Sequence, residues 1–216
     1  MADYSKLDHF SIKAKKEGYP ARSVYKLKEI DEKFALLKPG SFKGRTPFKI
    51  LDLGAAPGSW SLYVLRKLAA SSGKQNNVSP SLVSVDLSPL SREFDQGLFD
   101  NPAFLFIQGD FTLPEVRDTI LSHAPYNLIL SDAAPATTGN RSIDTLRSLD
   151  LAETVLHYAE TTLEKNGNMV TKVFQGGDTG ALLKKMRGFF ETGKSFKPQA
   201  CRSESFETYY LGLGRK

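Results

Sequence analysis

The sequence predicts an α/β domain with a mainly parallel sheet and helices on both of its faces. Two observations predict this. Short apolar, β-branched runs alternate with longer segments of helical periodicity over most of the chain. Aspartates also recur at the ends of four successive strand-like runs, where ligands collect in such sheets. Length and composition agree: 216 residues, 40% hydrophobic and 25% charged, suit one domain with a real core and a short appendage. No stretch approaches the ~20 apolar residues of a membrane span.

Residues 5–17 read as a short polar helix stopped by Gly18. Pro20 is expected to open a second helix over 20–34. Val24, Leu27, Ile30 and Phe34 form its apolar stripe, and Arg22, Lys26 and Glu29 fall on another face. After Pro39-Gly40 the pattern changes. Residues 48–53 read as a buried strand, 58–68 as a helix, and the Ser/Asn/Gly-rich stretch 71–80 as a loop. Further strands are expected at 82–87, 104–108, 126–131, 168–174 and 207–213, with helices at 113–122, 144–164 and 177–190. The chain thus divides into a basic helical extension, 1–40, and a catalytic domain, 41–216.

Charge is concentrated near the two ends. Net charge is +5. Residues 13–28 hold Lys13, Lys15, Lys16, Arg22, Lys26 and Lys28 against Glu17 alone. Residues 184–202 hold Lys184, Lys185, Arg187, Lys194, Lys197 and Arg202 against Glu191 alone. Each tract is either a solvated helix face or a surface for a polyanion, and two of equal weight favour nucleic acid. The single cysteine, Cys201, excludes an internal disulfide framework. His9, His123 and His157 have no metal-ligand spacing, so no metal is expected. With no apolar run behind Met1, a cytoplasmic location is expected.

The first strand runs into Asp52-Leu53-Gly54-Ala55-Ala56-Pro57-Gly58-Ser59-Trp60. The small residues let backbone approach a ligand closely. A dinucleotide loop would need glycine at Ala56, and no Gly-Lys-Ser/Thr of a phosphate loop follows. The turn therefore suits a nucleoside without phosphates. Asp86, closing the second strand, can accept hydrogen bonds from vicinal ribose hydroxyls. Asp110 can accept from an adenine amino group, and Asp132 ends the fourth strand. Any one of them alone also reads as a capping or loop aspartate. Together with Asp52 they resemble the S-adenosylmethionine site of class I methyltransferases, which are Rossmann-like with a seven-stranded, mainly parallel sheet.

A closer resemblance follows from five segments in order: 18–27 (GYPARSVYKL), 52–61, 131–135 (SDAAP), 172–176 (KVFQG) and 205–209 (SFETY). Together they are similar to the FtsJ family of RNA ribose 2′-O-methyltransferases. The resemblance implies a catalytic Lys-Asp-Lys-Glu set at Lys26, Asp132, Lys172 and Glu207. It implies cofactor contacts at Gly58, Trp60, Asp86, Asp110 and Asp132. Trp60 suits core packing equally well, and Glu207 has a competitor in Glu204.

The chemistry agrees with the residue types. Methyl transfer to a ribose hydroxyl is an in-line displacement, so positioning supplies much of the acceleration. A lysine acts as a base only if its pKa, ordinarily ~10.4, is brought down by burial or a neighbouring cation. Lys172, at the end of an apolar strand, is the expected base. Lys26 and Glu207 are expected to orient it and the hydroxyl, and Asp132 to bridge cofactor and catalytic centre. Cytosine-C5 transfer needs a cysteine nucleophile after the fourth strand, and Cys201 is not there. The expected substrate is a uridine of large-subunit ribosomal RNA, methylated late in ribosome assembly by a monomer. The tRNA anticodon loop is the alternative substrate, and a catalytically silent RNA-binding assembly factor the alternative class.

Overall fold

The structure is a computed structural model and describes residues 8–37, 48–71, 81–176, 179–202 and 204–216. The start of the expected first helix, the expected boundary at residue 40 and most of the 71–80 loop lie outside the described residues.

Two helices come first, α1 (His9–Lys16) and α2 (Val24–Phe34). The alternating part follows: β1 (Ile50–Leu53), α3 (Ser59–Ser71), β2 (Leu82–Asp86), β3 (Phe104–Gln108), α4 (Pro114–Ser122), β4 (Tyr126–Ser131), α5 (Arg141–Thr162) and β5 (Leu163–Phe174). The chain ends with α6 (Thr179–Phe189), β6 (Phe190–Phe196) and β7 (Glu207–Arg215). The seven strands form one sheet in the order β3-β2-β1-β4-β5-β7-β6. Strands β1 to β5 pair in parallel, and β7 pairs antiparallel with both β5 and β6. The predicted class therefore holds: a mainly parallel sheet with helices on both faces.

Alternation along the strands explains the layers. Ile50 of β1 and Leu128 and Leu130 of β4 face a core shared with Leu27 and Ile30 of α2 and Leu62 and Val64 of α3. Leu51, Leu53 and Ile129 face the opposite core, with Ile120 of α4, Val155 and Leu156 of α5, and Met186 of α6. Strand order reverses between β1 and β4, which opens a crevice at their carboxyl ends.

Three local expectations are corrected. Pro20 does not open α2; residues 20–23 form a turn, and the helix begins at Val24. The helix expected over 144–164 spans 141–162, and β5 begins at Leu163, well before residue 168. No strand is expected from the sequence at 190–196, and β6 lies there. It is an edge strand paired with β7 alone, so Thr192, Gly193, Lys194 and Ser195 need not follow a buried pattern. Its anchor is Phe190, whose ring fills the space a side chain at Gly212 would occupy.

Candidate active site

The crevice holds a cavity of about 570 Å³, lined among others by Gly54, Asp86, Asp110, Phe111 and Asp132. Its floor depends on a close backbone approach. Gly54 has φ +77°, and a Cβ there would lie 2.6 Å from Cα of Ala133, at the turn after β4. Asp86 is fixed before any ligand arrives: its Oδ2 accepts the Ala56 amide at 2.9 Å and its Oδ1 the Ser88 amide at 2.8 Å. Oδ1 of Asp110 accepts both the amide and the hydroxyl of Thr112, at 2.8 and 2.7 Å. Both aspartates cap their own turns and still face the cavity. Carboxylates have about four acceptor sites, so neither role excludes the other.

Asp52 does not join them. It lies inside β1, fully buried, with Oδ2 accepting the Ser61 hydroxyl at 2.7 Å. Burial, together with the charges of Asp132 and Asp86, outweighs that hydrogen bond and pushes its carboxyl up to about 7. Gly58 and Trp60 also lie outside the cavity lining. Gly58 holds φ +105° with Phe99 packed against it. The Trp60 ring is 2% exposed, its Nε1 donates to the Ser23 carbonyl at 2.9 Å, and it packs 5.9 Å from the Tyr209 ring.

The four residues of the expected catalytic set do meet. In the β5–β7 pairing, Lys172 stands opposite Tyr209 and Phe174 opposite Glu207, so all four point to the α2 side of the sheet. Nζ of Lys172 donates to the Asp132 carbonyl at 2.5 Å and lies 3.0 Å from its Oδ1. Nζ of Lys26 lies 2.8 Å from each carboxylate oxygen of Glu207. The phenol of Tyr209 donates to Oδ1 of Asp132 at 2.6 Å. Tyr209 had no assigned role in the sequence; its position two residues after Glu207 was the available signal.

The electrostatics make one network. Burial would push the Lys26 ammonium down, but the carboxylates of Asp132 and Glu207 outweigh it and its pKa is raised. Burial would push Asp132 up, but the charges of Lys172 and Lys26 and the Tyr209 hydrogen bond hold its carboxyl low. Burial, with Glu207 beside it, pushes the Cys201 thiol up to about 12, so this cysteine stays protonated.

A second cavity, of about 450 Å³, is lined by Arg22, Lys26, Ala200, Arg202, Phe206 and Glu207 among others. Asp132 faces the first cavity, while Lys26 and Glu207 face the second. Among the described residues no cluster of His, Cys, Asp or Glu could hold a metal ion, and no helix is long and apolar enough to cross a membrane.

Residues 19–215 match the model of the FtsJ-like methyltransferases. The chain belongs to that family. It is a methyltransferase enzyme. It is 46% identical to a Treponema denticola protein named ribosomal RNA large subunit methyltransferase E, over 99% of this chain and 97% of that one. A protein of the same name from Borrelia garinii subsp. bavariensis is 42% identical over 95% of each chain. Among solved structures, a Plasmodium falciparum protein assigned as a ribosomal RNA methyltransferase superposes with a TM-score of 0.69 at 26% identity, covering 91% of this chain and 98% of the other. Human methyltransferase-like protein 13, solved in complex with SAH, shares the fold, with a TM-score of 0.55 at 12% identity over 84% of this chain and 78% of its own.

Proposed function

We propose that this methyltransferase transfers a methyl group from S-adenosylmethionine to a ribose 2′-hydroxyl of RNA, the target being a uridine of large-subunit ribosomal RNA at a late stage of ribosome assembly. The observation that carries the reading is the grouping of Lys26, Asp132, Lys172 and Glu207, in which Asp132 lines one cavity, Lys26 and Glu207 line another, and Lys172 lines neither but is bonded to Asp132. The names of the full-length relatives support ribosomal RNA as the substrate class.

The first cavity fits the cofactor. Asp86 and Asp110 offer carboxylates to ribose hydroxyls and to an adenine amino group, and the missing side chain at Gly54 lets the Ala133 turn close in beside the cavity. When bound, S-adenosylmethionine supplies an electrophilic methyl carbon on a sulfonium. The acceptor ribose enters from the second cavity. Glu207, held by Lys26, accepts from the sugar and fixes its direction. Lys172 is aimed by the Asp132 carbonyl and carboxylate; once it has released its own proton to solvent, its neutral amine takes the hydroxyl proton as the oxygen–methyl bond forms and the sulfur–methyl bond breaks. Asp132 joins the two halves through one carboxylate. Residues 1–40 serve as a basic extension that grips phosphates and brings Lys26 to the centre. The protein acts as a monomer in the cytoplasm.

The test is transfer of labelled methyl to large-subunit particles, free ribosomal RNA and tRNA, by wild type and by Lys172→Ala. The expected result is label in ribosomal RNA, resistant to alkaline cleavage at the modified nucleotide and lost in the variant with cofactor affinity retained. Label in tRNA would keep the mechanism and move the substrate to the anticodon loop. RNA binding without label in any RNA would leave the binding-only assembly factor.

A further inference from the structure

Lys26 and Glu29 lie three residues apart on one face of α2, and Arg22 stands in the turn just before it. All three reach the chain leading from β6 into β7. Oε2 of Glu29 accepts the Gln199 amide at 2.6 Å, and its Oε1 accepts the Ala200 amide at 2.8 Å. Arg22 donates to the Ala200 carbonyl at 2.6 Å and is itself paired with Asp8. Lys26 holds Glu207 at the far end of the same connection. Both polar groups of Ala200 are therefore bonded to side chains about 170 residues away in sequence, and Ala200 is fully buried. Arg22, Ala200, Arg202, Phe206 and Glu207 line the second cavity; Glu29 does not.

We propose that Glu29 is a positioning residue for the RNA acceptor: it touches no substrate, and it sets the 199–202 wall of the cavity the acceptor nucleotide enters. This rests on the reading of the second cavity as the acceptor side. A carboxylate is required because two adjacent amides converge on it and each takes one oxygen. Glutamine offers one acceptor oxygen and turns an N–H₂ towards the other amide. Aspartate keeps both oxygens but is one methylene too short to reach them in place.

The charge makes the idea separable from simple electrostatics. Removing a carboxylate from a basic surface should tighten RNA binding if Glu29 acts only through its charge. The proposal predicts the opposite sign.

The experiment compares wild type, Glu29→Gln and Glu29→Asp in three readouts: KM and kcat for methyl transfer to large-subunit particles, direct affinity for ribosomal RNA, and hydrogen exchange of the Gln199 and Ala200 amides. For Glu29→Gln we expect faster exchange at both amides, an RNA KM about tenfold higher (the loss of one charge-assisted hydrogen bond) and kcat within about threefold, with cofactor affinity unchanged. Glu29→Asp should show the same direction with the charge retained, and it keeps the test open if the glutamine variant fails to fold. Faster exchange with an unchanged or lower RNA KM would make the clamp purely structural and overturn the proposal. Unchanged exchange would overturn it too. If wild type itself methylates no RNA, the functional reading fails separately. RNA affinity then decides: weaker binding by both variants upholds the clamp, and tighter binding by Glu29→Gln ends it.

Discussion

Tyr209 and Lys172 stand opposite one another across the antiparallel pairing of β5 with β7, and both reach Oδ1 of Asp132. One carboxylate oxygen thus receives a phenol and an ammonium from neighbouring strands. The third strand, β4, supplies the acid at its carboxyl end. The site is therefore a property of the β4-β5-β7 order, and the turn of the sheet from parallel to antiparallel at β7 makes it possible. A parallel strand there would bring its start to the other end of the sheet.

The phenol should matter through Asp132. In Tyr209→Phe the ring still packs on Trp60, but the hydroxyl is gone. Asp132 then loses one of the groups that hold its pKa down against burial. We expect the acid limb of the kcat profile to move to higher pH and kcat at neutral pH to fall roughly tenfold, the worth of about one hydrogen bond to a charged group. A pH–rate profile of the variant checks this; an unmoved acid limb would show that Asp132 does not feel the phenol.

The fold was largely legible because periodicity reports burial. Val24, Leu27 and Ile30 are buried as their spacing predicts. The grouping of Lys26, Asp132, Lys172 and Glu207 was legible through family resemblance, since nothing local tells that Lys26 and Glu207, separated by 181 residues, form a pair. Three things were hidden. Edge strand β6 is half polar and has no buried period to find. Asp52 looked like its three neighbours at strand ends, but β1 continues one residue past it, and its side chain turns into the core. Arg22 and Glu29 were visible as a polar helix face, but their partners are backbone groups of a distant loop, which side-chain patterning cannot reveal.

Trp60 should behave as a packing residue. Trp60→Phe removes the indole N–H that the Ser23 carbonyl accepts, just before α2. The half-buried Ser23 carbonyl keeps the Lys26 amide at 3.0 Å as a donor, so the change removes one ordinary hydrogen bond, about 0.5–1.5 kcal/mol. At this chain length that is roughly 2–4 °C of Tm per kcal/mol. We expect a lower Tm and an unchanged affinity for S-adenosylmethionine, measured by calorimetry on the same sample. A tenfold loss of cofactor affinity at unchanged Tm would restore the indole to the cofactor site.

The basic end of α1 should act on RNA alone. Lys15 and Lys16 are exposed in its last turn. Removing both charges should weaken RNA binding and lower the slope of log affinity against log salt by roughly 1.5, as for two lost phosphate contacts. Filter binding of Lys15→Ala/Lys16→Ala over a salt series measures this. An unchanged slope would mean that the RNA runs elsewhere.

Asp52 gives the protein a pH dependence opposite to that of Asp132. Its carboxyl titrates at about 7 in the folded chain, against an ordinary value of 3.8. Between those values the native state keeps a proton that the unfolded chain has released. Stability from this group is therefore complete below about pH 3.8, falls as pH rises to about 7, and is level above it. The steepest part costs up to ~1.4 kcal/mol per pH unit. Oδ1 has no hydrogen-bond partner among the described residues, so the proton has an oxygen to sit on. An asparagine at this position would have no proton to lose and an amide of nearly the same shape. We expect Asp52→Asn to gain stability over wild type steadily from about pH 4.5 to about pH 7, with the difference level above that. Urea unfolding of both proteins at about pH 4.5, 6 and 8 tests it. A difference that stays constant across the three would mean that Asp52 is ionised in the native core, and the Ser61 and Ser84 hydroxyls would then have to carry a buried charge.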